Sequence, residues 1–300
     1  MTQTLPAAKP QSGLGAPFAA LVAGSLAMGL SPIFVRLADV GPFASAFWRV
    51  ALALPALYAW ALLTDSQDAG RQAAPTSRPF AFATILAGFA FAGDLFFWHL
   101  SIVTTSVANA TFFATTAPIW VVVFGWLILR ERAERKTLAG LAFCILGGGA
   151  LLAESLHLKP ASALGDLYGL ATGVFFGLYF LAVKAALRRR SAARVTLEAT
   201  VITTAILLLV ALRLEGSILP HGVKGVAALL ALAWISHAGG QGLLSVALGR
   251  LPAAFSSLVI FLEAIAAAAF AYVLLGEPVS LVQALGGVLI LVGIFIARPT

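Results

Sequence analysis

Apolar stretches of about twenty residues, interrupted only by short charged or turn-forming segments, recur along nearly the whole chain. A helix of ~20 mostly apolar residues is what ~30 Å of hydrocarbon demands, with charges placed between spans or hidden inside a bundle. Cutting the chain at its charges and turn residues predicts ten such segments, near 14 to 35, 42 to 64, 79 to 103, 106 to 129, 134 to 153, 163 to 186, 195 to 212, 225 to 249, 253 to 275 and 279 to 298. They consume most of the 300 residues, and the longest polar connection is the one around Asp65 to Arg78. Only 10% of the residues are charged, against ~25% in a soluble domain. The expected class is therefore an all-α integral membrane protein. A membrane β-barrel would alternate apolar and polar residues, whereas Ala264 to Ala269 and Leu285 to Ile296 are apolar without alternation.

Basic residues set the expected orientation. With a cytoplasmic N-terminal tail over residues 1–13, the inside segments carry fourteen of the nineteen Lys and Arg, the outside loops carry Arg36, Lys159, Arg213 and Lys224, and Arg49 lies within the second span. The bias puts both termini in the cytoplasm, in a bacterial type of inner membrane. It also accounts for the net charge of +7 through contact with anionic lipid, and no basic face on a soluble module exists to bind nucleic acid.

The two halves of the chain resemble each other. An offset of 146 pairs Leu129-Arg130-Glu131-Arg132 with Leu275-Gly276-Glu277-Pro278, Gly140 with Gly286, and Gly147 with Gly293; an offset of 148 pairs Gly29 with Gly177 and Arg36 with Lys184. This predicts two five-helix repeats, residues 14–155 and 163–298. Five is odd, so the second must be inverted relative to the first, as in secondary transporters whose site lies near the midplane between the halves.

Particular motifs sharpen that expectation. Thr105-Ser106-Val107-Ala108-Asn109-Ala110, Ala117-Pro118, Glu131-Arg132, Leu262-Glu263-Ala264 and Leu275-Gly276-Glu277-Pro278 together resemble the EamA-type family of the drug/metabolite transporter superfamily over nearly the whole chain. The family's ninth-span motif reads Leu-Glu-Pro, and here Ala264 stands in the proline's place. The resemblance implies a ten-helix carrier that exports amino acids and related metabolites by alternating access. An aromatic-rich interior makes the YddG-type aromatic amino acid exporters the nearest comparison within it.

Polar groups deep in the spans are the candidates for binding, because hydrocarbon tolerates them only with partners or water. Arg49 and Asp94 lie about eight and about ten residues from the outer ends of their spans and are expected to form a structural ion pair. Asp94, one turn before Trp98, has a second reading, as partner of a substrate ammonium with the indole face beside it. His237 and Glu263 lie near the midplane of consecutive spans, either orienting a substrate or hydrogen-bonding helix to helix. Gln241 and Trp234 are expected on the face of His237. Asn109, Thr115 and Thr116 supply polar groups in the fourth span. Tyr168, Thr172, Phe175, Tyr179 and Val183 form a stripe in the sixth, with Phe176 beside it. Phe91, Phe113 and Trp120 complete the aromatic set, and Trp126 reads as an interface anchor.

Pro32 and Pro118 lie inside spans and are the expected hinges. Gly169, Gly173 and Gly177 make a small-residue stripe suited to close packing or to a homodimer face. Neither metal nor cofactor is expected: His99, His157, His221 and His237 are never three to five residues apart, Cys144 is the single cysteine, and no phosphate-cradling Gly-Lys motif occurs. Nothing in this set makes an enzyme active site, so the expected partners are a small-molecule substrate and the lipid bilayer.

Overall fold

The computed structural model describes residues 14–68, 81–105, 107–130, 132–152, 163–275 and 279–299. Among these residues the structure is entirely helical. The paired glutamates Glu131 and Glu277 of the sequence repeat, and the tail over 1–13, lie outside them.

Several rods are built from two collinear pieces. α1 (Gly15–Met28) runs into α2 (Ser31–Leu37), α3 (Pro42–Ala51) into α4 (Leu54–Asp68), α5 (Phe82–Thr104) is continuous, and α6 (Val107–Ala114) is followed by α7 (Ala117–Leu129). α8 (Arg135–Leu152) closes the first half. The second half holds α9 (Ala163–Ala186), α10 (Ala192–Leu214), α11 (Val223–Ala231) continuing through a π-helix (Leu232–Gln241) into α12 (Gly242–Leu248), then α13 (Ala253–Val259), α14 (Phe261–Leu275) and α15 (Leu281–Ala297). Seven of these rods are long and apolar enough to cross a bilayer, with shorter apolar helices over Phe112–Ile128 and Leu281–Ala297.

Glycine determines how the two halves meet. A Cβ on Gly140 would lie 2.5 Å from the carbonyl of Gly293, one on Gly293 would lie 2.6 Å from that of Gly140, and Gly147 and Gly286 face each other at 2.6 Å in both directions. Residue numbers rise along α8 as they fall along α15, so the helices run antiparallel with their backbones in contact. The glycines paired by the 146-residue offset thus meet crosswise: 140 contacts the partner of 147, and 147 the partner of 140. This reciprocity belongs to an interface with a two-fold axis through its centre. Lipid provides no hydrophobic drive for helix association, so such close approach is what holds the pair.

The stripe Gly169, Gly173 and Gly177 is used inside the chain. A Cβ added at Gly169 would lie 2.9 Å from Phe113 and one at Gly177 2.7 Å from Trp120, and one at Gly173 would press on Thr116, all three on the fourth rod. The stripe therefore offers no free face for a second copy, because α6 and α7 already occupy it.

Both expected hinges fall at interruptions. Gly29 and Leu30 leave the helix just before Ser31-Pro32, and Thr115 and Thr116 do so just before Ala117-Pro118. The ninth rod is interrupted too, at Ile260, although Ala264 replaces the family's proline. There the carbonyl of Ile260 accepts a tight bond from the N–H of Glu263 at 2.8 Å, and Ser257 returns its hydroxyl to Ala254 at 2.9 Å, a competition that bends helices.

Breaks free backbone carbonyls that hydrocarbon cannot solvate, and neighbouring helices must serve them. The π-helix supplies two donors: Ser236 Oγ to the Ala27 carbonyl and Trp234 Nε1 to the Leu52 carbonyl, each at 2.9 Å. At one end of the bundle, two carboxylates cap helices in the opposite half. Glu215 accepts from the N–H groups of Phe43 and Ala44 at 2.7 and 2.9 Å, while Asp39 accepts from His221 and Gly222 at 3.0 and 2.6 Å. These donors are the otherwise unsatisfied N–H groups of helix starts. At the other end Lys184 Nζ donates to the carbonyls of Leu248 and Leu251 at 2.7 and 2.9 Å, and Arg190 pairs with Glu198.

Two outcomes are expected of stability measurements in detergent. Gly286→Ala lowers the unfolding midpoint, by overpacking costing about 1–3 kcal/mol, while Gly287→Ala, where no atom lies within 4 Å, is neutral or stabilising. Ala264→Pro is tolerated, because the Ile260 carbonyl it would deprive already accepts from Glu263; Ala268→Pro, one turn further into α14, costs about 3 kcal/mol.

Candidate functional site

The interruptions surround one cavity. Met28, Ser31 and Pro32 reach it from the break in the first rod, Ala114 and Thr115 from the fourth, and Ile260, Glu263, Ala264 and Ala267 from the ninth. Arg49 enters from α3, Phe91, Asp94, Leu95 and Trp98 from α5, Thr172 and Phe176 from α9, and Gln241 from the end of the π-helix. Its volume is about 90 Å³, room for about six water-sized groups at ~15 Å³ each. That suffices for the polar end of a small ligand.

The charge content is unusual for such a place. Arg49 and Asp94 are 6% and 7% exposed, and a charge so placed needs compensation. Arg49, Asp94 and Glu263 all line this cavity. No hydrogen bond or ion pair within 4.0 Å joins Arg49 to Asp94 among the described residues. The expected direct pair is thus replaced by one guanidinium facing two carboxylates across a cavity, because Asp94 and Glu263 approach from different helices and leave space between them. Arg49 Nε and Gln241 Oε1 are buried without a hydrogen-bond partner. One is a donor and the other an acceptor, and both residues line the same hollow.

Other expected site residues form a second layer. His237 is 1% exposed; its Nε2 lies 3.0 Å from Thr200 Oγ1, and its ring packs on Phe91 at 5.4 Å. Tyr179, 2% exposed, packs on the same ring at 4.8 Å. Both support Phe91, whose face forms the wall. Trp234 does not join His237 and Gln241. It is 56% exposed and bonded to Leu52, because the wider i→i+5 turns of the π-helix rotate it off the face that α-helical spacing assigns to it. Gln241 reaches the cavity from that same π-helix.

The fourth-span candidates divide as well. Thr115 lines the cavity, with its hydroxyl bonded to Phe112 O at 2.7 Å. Thr116 bonds Phe113 O at 2.6 Å and accepts from Trp120 Nε1 at 3.3 Å. Asn109 donates to Asp166 at 2.7 Å, next to Thr105 at 2.9 Å, and so ties the fourth rod to the start of α9. Pro118 borders a small neighbouring hollow with Phe180 and Phe261. In the aromatic stripe, Phe175 and Tyr168 pack on Phe97 at 5.4 and 6.1 Å, while Phe176 beside it joins Phe91 and Trp98 on the cavity wall.

Arg49 thus lines the cavity rather than lying paired and hidden, and Met28, Ser31, Leu95 and Ile260 join it as wall residues that no sequence motif marks. The signal for Arg49 was its isolation within a span, which marks a buried charge without saying what it faces. The apolar wall residues carry no signal of their own.

A second hollow of about 220 Å³ lies at the basic end, lined by Arg132, Lys136, Lys184 and Arg188 with Glu134, Ala253, Phe255 and Pro299. Phe180 and Phe261, both fully buried, fill the core between it and the central cavity.

Comparison with known proteins places this architecture. A family model described as the EamA-like transporter family matches twice, over residues 15–152 and 163–298. An uncharacterized transporter of Methanothermobacter thermautotrophicus is 25% identical over 204 residues, covering 64% of this chain and 57% of its own length, so the match spans little more than half of that relative. An uncharacterized transporter of Archaeoglobus fulgidus is 25% identical over 284 residues, covering 93% of this chain and 95% of its own. A solved crystal structure aligns at 18% identity with a TM-score of 0.81, over 95% of this chain and 98% of the other, which is a likeness of fold. With a helical bundle suited to a bilayer, a polar cavity where its interrupted helices meet and a family model matched once in each half, the chain belongs to the EamA-like transporter family.

Proposed function

We propose that the protein is a secondary transporter of amino acids with large neutral or aromatic side chains, working by alternating access. The observation that carries this reading is the pairing of orphaned polar groups in the central cavity. Arg49 offers an unpartnered N–H to a substrate carboxylate. Gln241 Oε1, with Asp94 and Glu263, offers acceptors to an ammonium group. Trp98, Phe91 and Phe176 provide apolar and cation-binding faces for a side chain. A zwitterion with an aromatic tail meets all three requirements, and the YddG-type exporters are its nearest functional comparison.

The packing suggests the moving parts. α5, α6, α7 and α9 pack together, and α1 packs with the π-helix, α12 and α14. The cavity lies between these groups, which correspond under the repeat. In this reading ten crossings form two inverted five-helix halves, residues 14–155 and 163–298. The groups rock about the breaks at Pro32 and Pro118, and Phe180 and Phe261 close the path toward the basic end. That end faces the cytoplasm of a bacterial inner membrane, with both termini on the same side.

Counterflow in proteoliposomes tests the substrate class. Labelled tryptophan or phenylalanine is expected to exchange with unlabelled neutral amino acid, and exchange of sugars or nucleosides alone would overturn the amino acid reading. Gln241→Ala should raise the half-saturation concentration several-fold. Trp234→Phe, outside the cavity, should leave it unchanged while lowering stability by about 0.6 kcal/mol through the lost bond to Leu52.

A further inference from the structure

The charges around the central cavity do not balance. Among the described residues its wall carries one cation, Arg49, and two carboxylates, Asp94 and Glu263, and the rest of that lining is uncharged. The three approach from three directions: Arg49 from α3, Asp94 from α5 and Glu263 from α14. A substrate carboxylate arriving at Arg49 must therefore compete with the carboxylates on the same wall. A substrate ammonium arriving at Asp94 meets a carboxylate that makes no hydrogen bond or ion pair among the described residues, with Gln241 Oε1 also unpartnered there and Trp98 one turn along the same helix. In a site of low dielectric, the group that brings the missing positive charge gains most.

We infer that the ammonium group is the obligatory recognition element of the substrate, so that the cavity takes aromatic monoamines lacking a carboxylate and rejects aromatic acids lacking an amine. Glu263 enforces this selectivity by occupying the field of Arg49. The inference rests on the amino acid reading for the location and size of the ligand, but it concerns a different property. It assigns the sign of charge that the site demands. It also extends the substrate range to decarboxylated amines, which a site built around an Arg–carboxylate clamp would exclude.

Equilibrium dialysis of the purified full chain in detergent tests it without interference from membrane permeation. Labelled tryptophan and labelled tryptamine are bound in parallel, with indole-3-propionate as the competing acid. Tryptamine is expected to bind within ten-fold of tryptophan, and indole-3-propionate at least a hundred-fold more weakly. Glu263→Gln leaves one cation and one carboxylate, and is expected to strengthen indole-3-propionate at least ten-fold. Asp94→Asn should weaken tryptamine at least ten-fold, and it provides an independent variant if Glu263→Gln does not fold as judged by gel filtration. Equal or tighter binding of the acid than of the amine in the wild-type protein overturns the inference, as does an unchanged acid-to-amine ratio in folded Glu263→Gln. Tryptamine binding without tryptophan binding sinks the amino acid reading and leaves this one standing. Tryptophan binding with no tryptamine binding does the reverse, and binding of neither ligand overturns both.

Discussion

Hydrocarbon offers no hydrogen bonds, so each place where a helix is interrupted must be repaired by another helix, and the arrangement of this bundle follows from those repairs. The first, second, fourth and ninth rods all break, and all but the second contribute residues at the break to the central cavity. The second places Arg49 less than a turn before its own break at Leu52 and Ala53. Among the described residues the interruptions within rods thus gather at or near the polar hollow. The π-helix serves this economy twice: its Ser236 and Trp234 satisfy carbonyls of two broken rods, and its far end delivers Gln241 to the cavity.

Rigid contacts surround this softer centre. α8 and α15 are locked backbone to backbone by the crosswise glycines, and α9 is fitted to the fourth rod through Gly169, Gly173 and Gly177. Such contacts depend on the absence of side chains, so they resist deformation more than a layer of flexible apolar side chains would. The reciprocal caps by Asp39 and Glu215 tie the loop between α2 and α3 to the loop between α10 and α11. In the proposed alternating access, motion is assigned to the broken rods around the cavity.

Under the proposed function, the charges in the cavity serve a ligand rather than the fold. A buried pair built only for stability is commonly matched in charge and hydrogen-bonded, and an apolar replacement of equal volume often serves as well. Arg49, Asp94 and Glu263 are unmatched in number and separated by open space. Their arrangement leaves work for a ligand to complete.

Much of this was legible in the chain itself. Helical class and the recurrence of apolar spans follow from hydropathy, because every residue in a span faces the same requirement for internal backbone bonding; the half-to-half repeat follows from spacing, and the family from the resemblance of short motifs such as Leu262-Glu263-Ala264. Isolated polar residues announced the depth of the site, since Arg49, Asp94 and Glu263 cannot sit in a span without a reason. Which of them face one another was decided only in three dimensions. Periodicity assumes one turn geometry, and the π-helix breaks that assumption at Trp234. A proline is one way to interrupt a helix, and Ile260 shows that competing hydroxyls and a tight turn suffice without it. A stripe of small residues announces a close neighbour but not its identity, and Gly173 found Thr116 within its own chain rather than another copy. Local chemistry determines what a residue requires, and tertiary packing determines which neighbour supplies it.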